Sequence, residues 1–153
     1  MPQTKCGFDD CPTAKGIDLL EQHGPTLYVD IGFDPQYDPS APISIKPQLA
    51  ATQLWALVDT GAAQSCIDND LATKLALPIV DRRHVGGIGG LQEVNMYLAH
   101  IHVPALAFTI YGAFAGVELI VGGQRHYALI GRTFLRHLHM VYEGTTGTVT
   151  ISK

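Results

Sequence analysis

The chain reads as an all-β protein: one closed, barrel-like domain with a long glycine-tipped hairpin and one or two short helices. Three observations carry this expectation. Short apolar or alternating segments recur along most of the 153 residues and are broken by Gly-, Pro- and Asp-containing turns. Helical patterns are few and brief. At 46% apolar residues, a chain of this length can bury a real core as a single domain, and no internal repeat is evident.

Taken in order, Met1 to Gly24 is polar and reads as a flexible lead with at most a short helix near Ile17 to Gln22, which leaves 25–153 as the domain proper. Pro25 to Ile31 alternates as a first strand should. Gly32 to Pro47, with Asp34-Pro35 and Asp38-Pro39-Ser40, is loop chemistry. Leu49 to Val58 is a strand, and Ser65 to Asp68 a short one. Asn69-Asp70 offers an N-cap for a helix from Asp70 to Leu75, which Pro78 ends. Ile79 to Ala99 is expected to form the hairpin. Ala99 to Tyr111 and Val117 to Val121 read as strands, with Gly122-Gly123 as a turn. Ala128 to Ile130 is a short strand, followed by a helix from Arg132 to His139. Met140 to Glu143 and Thr148 to Ile151 then pair across Gly144-Thr145-Thr146-Gly147.

Charge and cysteine content exclude several function classes. With 16% charged residues and a net charge of -4, there is no reason to expect a nucleic-acid partner, and Arg82-Arg83 is an isolated basic pair. Val103 to Val117 is uncharged but too short to span a bilayer, and Pro104, Gly112 and Gly116 interrupt it, so no membrane partner is expected. Met1 to Asp10 lacks the apolar core of a secretory signal, so the expected location is cytoplasmic. Three cysteines are an odd number and argue against a closed disulfide framework. Cys6, Cys11 and His23 lack zinc-site spacing, and no metal or other cofactor is expected. Cys66 reads as a small buried hydrophobe. His100 and His102 share one strand face, while His137 and His139 fall near the end of the last helix. Without a third ligand they read as surface or interface histidines.

The chemistry concentrates in Ala56-Leu57-Val58-Asp59-Thr60-Gly61-Ala62. An apolar run delivers a carboxylate, a hydroxyl and a glycine in succession. A carboxylate at the end of a buried strand is costly unless its charge is shared, neutralised or hydrogen-bonded. Thr60 can bond to backbone, and Gly61 permits geometry that a side chain would forbid. Two further segments follow in order. Gly86-Gly87-Ile88-Gly89-Gly90 suits a hairpin tip, and Ala128-Leu129-Ile130-Gly131-Arg132 is a second apolar strand that ends in glycine. The glycines near 88 are not a phosphate loop, because no helix start or G-K-S/T follows them.

At these three points, from about Pro25 to Ser152, the chain resembles the retropepsin-like (retroviral-type) aspartic protease family. The resemblance implies a closed acid-protease barrel with a flap hairpin. It implies Asp59 as the catalytic carboxylate, Thr60 locking two active-site loops across a two-fold axis, and the Gly61 backbone approaching the carboxylates. Ala62 would line the cleft, and Gly86, Gly87, Ile88, Gly89 and Gly90 would form the flap over an extended peptide. Leu57, Ile88 and Ile130 are expected to contribute apolar pockets. Leu129, Gly131 and Arg132 would build the supporting loop.

Carboxylate-driven peptide hydrolysis needs two carboxyls around one water, and this sequence contains one D-T/S-G element. The second must come from another copy, so an enzyme of this kind is a homodimer acting on a peptide or protein. Retroviral members follow Asp-Thr-Gly-Ala with acidic residues, whereas this chain has Ala63-Gln64. Arg132 is then expected to bond backbone carbonyls or Asp68. The alternative reading is a non-catalytic module of the same fold that binds a peptide or mediates dimerisation.

Overall fold

The structure is a computed structural model that describes residues 2–41, 46–87 and 89–153. Ten strands and three short helices make up the described fold: β1 (Gln3–Lys5), α1 (Gly16–His23), β2 (Thr26–Gly32), β3 (Ala51–Val58), β4 (Cys66–Asp68), α2 (Asn69–Lys74), β5 (Ile79–Gly87), β6 (Gly90–Val103), β7 (Phe108–Val117), β8 (Ala128–Ile130), α3 (Arg132–Leu135), β9 (His139–Glu143) and β10 (Thr148–Ser152). The main sheet runs β2-β3-β8-β4-β7-β6-β5, and β2 also pairs with β6. That extra pairing, Asp30↔His102 through Gly32↔His100, closes β2, β3, β8, β4, β7 and β6 into a barrel. β5 remains outside, paired only with the first half of β6. A second, three-stranded sheet has the order β1-β10-β9.

Strand periodicity fills the barrel. Val29, Ile31, Ala56, Val58, Ile101 and Ile130 point inward and are buried, and Phe134 of α3 seals the core from one end. β2 and β3 pair with a bulge between Val29 and Ile31. Gln53 adopts a positive φ of 56° at this bulge, and its N–H donates to the buried Asp30 carboxylate at 3.0 Å. No helix among the described residues is long and apolar enough to cross a membrane.

Several sequence expectations are corrected here. Residues 1–24 read as a loose lead, yet within the described part of that segment β1 pairs with β10. The zipper continues through Cys6 N–H to Val149 carbonyl (2.9 Å) and Phe8 N–H to Gly147 carbonyl (3.0 Å). α1 buries Leu20, and the Asp10 carboxylate accepts the Gly16 N–H at 2.7 Å to cap its start. The polar residues of this segment face outward while Cys6 and Leu20 enter the core, a pattern too sparse to stand out in the sequence.

The predicted strand over Ala99 to Tyr111 is the end of β6, a 3₁₀ turn at Pro104–Leu106 and the start of β7. Ala107 reverses the chain there in the left-handed region, with φ at 47°. Val117 to Val121 is not a strand, since β7 ends at Val117 and a turn follows. The last helix is shorter than expected: α3 stops at Leu135, and His139 begins β9. α2 is capped one residue early, by Asp68 rather than Asn69 or Asp70.

Three buried histidines hold fixed positions. His100 accepts the Asp34 N–H at 3.2 Å beneath Phe33 and Tyr111. His102 bonds the Thr109 hydroxyl at 2.7 Å, and His126 bonds the Thr26 hydroxyl at 2.8 Å. Burial holds all three below the ordinary imidazole range, against the raising effect of Asp34 on His100 and of Asp30 on His102.

Two outcomes follow. Leu20→Ala should destabilise the protein by about 2–5 kcal/mol in urea unfolding, as for a core leucine, where a loose lead would give no change. A histidine depressed in the fold binds its proton more readily when unfolded. Stability contributed by these three is therefore full above the unfolded value of 6.5 and drains away as pH falls through the folded values. Melting temperature should accordingly drop on acidification from pH 7 to 5, and less steeply in a His126→Phe variant.

Candidate active site

β3 and β8 run parallel, with Ala56 beside Ala128 and Val58 beside Ile130, so both deliver their following loops to the same end of the barrel. At the end of β3 the Asp59 N–H donates to the Ile130 carbonyl at 2.9 Å, which continues the ladder one residue further. The chain then turns tightly, with the Ala62 N–H donating to the Asp59 carbonyl at 3.3 Å. The Gly61 N–H donates to Asp59 Oδ1 at 2.9 Å, so the carboxylate is aimed by its own turn. A Cβ at position 61 would lie 3.1 Å from that oxygen, tighter than side chains normally tolerate, and glycine removes the conflict. Asp59 is half-buried, whereas Thr60 and Gly61 are exposed beside it.

The second loop is stitched to the first. Arg132 N–H donates to the Ala62 carbonyl (2.9 Å) and Thr133 N–H to the Ala63 carbonyl (3.0 Å), which satisfies donors at the start of α3 that would otherwise lack partners. Gly131 N–H donates to the buried Ser65 hydroxyl at 2.9 Å. The Arg132 guanidinium reaches over to the Thr60 carbonyl at 2.7 Å. Gly131 itself has no room for a side chain: a Cβ would sit 2.6 Å from the Gln64 carbonyl oxygen and 2.9 Å from that of Ala62.

Of the two partners expected for Arg132, the structure takes the backbone carbonyl. Asp68 is buried and engaged elsewhere, accepting N–H groups from Leu71 (3.2 Å), Leu119 (3.1 Å) and Ile120 (3.1 Å). It ties α2 to the turn after β7. Ser65 and Asp68 have structural roles that the motifs did not reveal: Ser65 carries no motif role, and Asp68 enters the motif reading only as a partner for Arg132. Their signal was a polar residue at each end of the buried Cys66-Ile67 pair.

The hairpin tip lies where the glycines foretold: Gly86 pairs with Leu91 and Gly87 with Gly90, and Gly90 carries a φ of +92°. Ile88 lies outside the described residues. A Cβ at position 86 or 89 would meet only ordinary van der Waals contact, with Leu91 and Gln92 at 3.9 Å, so packing within the chain does not demand these glycines. Below the tip, Arg82 pairs with Glu93 at 3.0 Å on the solvent side.

The expected apolar wall needs revision. Ile130 is fully buried in the barrel core and cannot touch a bound peptide. Strand alternation gives the opposite face to Leu129, which packs with Cys66, Val94 and Met96 at the foot of the hairpin. Leu57 is half-buried on the same non-core side of β3, against Gly24. Burial pushes the Cys66 thiol up to about 12, against a hydrogen bond from Leu129, and the nearby Asp59 charge adds to the rise. Cys66 is therefore a neutral neighbour rather than a nucleophile. A cavity of about 580 Å³ between Phe8, Tyr28 and Trp55, and one of about 360 Å³ under Phe33 and Tyr37, lie elsewhere, and Asp59 lines neither. Asp59 is thus a half-buried carboxylate held by its own turn, with no second D-T/S-G loop facing it among the described residues.

The family model described as retroviral aspartyl protease matches residues 35–142, which contain all three motifs. Among solved structures, the chain is similar to EIAV protease complexed with the inhibitor HBY-793. Identity is 20% and the TM-score 0.48, over 74% of this chain and 86% of that one. No curated protein matches.

Gly131→Ala should force the two loops apart and cost more stability than Ser65→Ala. The latter should cost about 1–3 kcal/mol, the usual penalty for orphaning a buried donor. Urea unfolding of the two variants checks the order, and equal effects would contradict the stitched-loop geometry.

Proposed function

The chain belongs to the retroviral aspartyl protease family, and from that premise we propose that it is an aspartic endopeptidase whose single active site is shared by two copies. The observation that carries the reading is an Asp59 carboxylate aimed by the Gly61 N–H at the open end of the barrel, with no second such loop in the chain to complete it. An isologous dimer supplies the missing carboxyl across its two-fold axis.

Two carboxyls held close cannot both ionise, so the pair keeps one proton between them and titrates as a unit; aspartic proteases are the standing example of this effect. The ionised member takes a proton from the water as it attacks the peptide carbonyl carbon. The protonated member donates to the carbonyl oxygen, which gives a neutral gem-diol. Return of a proton to the amide nitrogen breaks the C–N bond and releases acid and amine. Thr60, exposed beside Asp59, would bond across the axis. The Arg132 guanidinium holds the Thr60 carbonyl and so fixes the rim of the loop. The glycine hairpin over Gly86, Gly87, Gly89 and Gly90 would offer backbone groups to an extended peptide and exclude water. Leu57 and Leu129, rather than Ile130, are the described residues of these strands that support an apolar subsite.

A peptide-library digest tests this. Asp59→Asn should abolish cleavage and leave the circular dichroism spectrum and the oligomeric mass unchanged. Cleavage that survives in this variant would remove the mechanism. Binding of peptides without cleavage by the native chain would favour the non-catalytic module. The kcat/KM profile of the native enzyme should be a bell whose two limbs belong to the carboxyl pair, and a profile flat from pH 4 to 8 would count against it.

A further inference from the structure

Four aromatic rings and one carboxylate line the cavity of about 360 Å³ beside the loop that follows β2. Strand register brings most of them together. His100 of β6 and Tyr111 of β7 are direct cross-strand partners, so their rings share one face of the sheet, and Gly32 at the end of β2 pairs with His100 from the other side. Phe33, one residue further on, completes a group of three rings with centroids 4.7 to 6.4 Å apart and planes within 32° of parallel. Asp34 then turns the loop back towards them. Its Oδ1 accepts the Gln36 N–H at 3.0 Å, and its backbone carbonyl accepts the Tyr37 N–H at 3.2 Å. The Tyr37 ring therefore stands at 88° to His100, with centroids 5.5 Å apart, as a wall beside the other three.

We propose that this aromatic box is a binding site for a small organic cation, a quaternary ammonium group seated against the ring faces beside Asp34. Ring faces carry the negative part of the aromatic quadrupole and attract such a cation. Asp34 adds a full negative charge. The N–H groups of Gln48 (2.8 Å) and Gln36 hold its carboxyl below the usual range, and among the described residues no basic side chain pairs with it. Burial keeps His100 neutral, so it presents a π-face rather than a competing charge. Hydrogen-bonding capacity inside the cavity is largely spent. Each Asp34 oxygen already accepts an N–H, His100 Nδ1 takes the Asp34 N–H at 3.2 Å, and the Thr109 hydroxyl is bonded to His102 at 2.7 Å. A primary ammonium would enter with three N–H donors to satisfy, whereas a quaternary nitrogen has none. The volume lies at the low end for small-ligand sites, enough for a compact cation with a short tail. Asp59 does not line this cavity, so the site is additional to the proposed catalytic one.

Choline is the probe, and its neutral isostere, in which a tert-butyl group replaces the trimethylammonium, is the control. Titration calorimetry of the full chain at neutral pH should show choline binding and at least about ten-fold weaker binding of the isostere. The N-methyl proton resonance of choline should move upfield on binding, as nuclei above aromatic faces do. Tyr111→Leu and Tyr37→Leu should each weaken choline binding about five-fold or more, while Tyr111→Phe, which keeps the ring, should stay within about two-fold. Tyr111 is 57% exposed, so its replacement should leave the circular dichroism spectrum unchanged. Asp59→Asn should bind choline as the native chain does. Equal affinity for choline and the isostere would overturn the cation site and leave an apolar cleft. No choline binding at tens of millimolar, or binding lost in Asp59→Asn, would overturn it as well. A trimethyllysine peptide that displaces choline supports the same chemistry with a modified side chain as its source, and a peptide that fails to displace bound choline supports the free cation.

Discussion

The bond between two loops governs this molecule. The Asp59 turn and the Gly131 turn interlock through backbone hydrogen bonds so close that no side-chain carbon fits at position 131. Parallel strands β3 and β8 bring those turns together, and parallel neighbours cannot be joined by a tight hairpin. The chain between them must travel. That excursion holds α2, the long hairpin and most of the barrel wall, so closing the fold and building the carboxylate's support are one event. Ser65 and Arg132 reinforce the interlock from opposite sides, one beneath Gly131 and one across Thr60.

Protons impose competing demands. Aspartic-protease chemistry of the kind proposed would call for acidic conditions, whereas three imidazoles kept neutral by burial resist them. The working range of such an enzyme would be bounded on one side by chemistry and on the other by packing. Asp68 shows the alternative use of a carboxylate. Surrounded by three backbone N–H donors, it serves as a fixed structural acceptor and is unavailable to Arg132.

Much of this was legible in the residues. Apolar runs ending in Asp59 and Gly131, and paired glycines around position 88, marked three turns because glycine at a turn has a steric reason that does not depend on distant contacts. What escaped notice depended on tertiary partners. The burial of Cys6 and Leu20 requires β10, which lies at the far end of the chain. The core position of Ile130 against the outward one of Leu129 turns on a single step of strand parity, and three apolar residues in a row conceal that parity. The premature end of α3 likewise reflects the recruitment of His139 into β9 rather than any breaker in Arg136 to Leu138.

The zipper between β1 and β10 carries a consequence for control. A chain whose two termini are bound to one another can complete its own folding before it meets a partner. If two such finished bodies shared one site, their union would be reversible, and in dilute conditions the assembled population would rise with the square of the amount of chain present. Were the site shared by two copies, synthesis level would act as the switch: scarce copies lie dormant and abundant ones become competent.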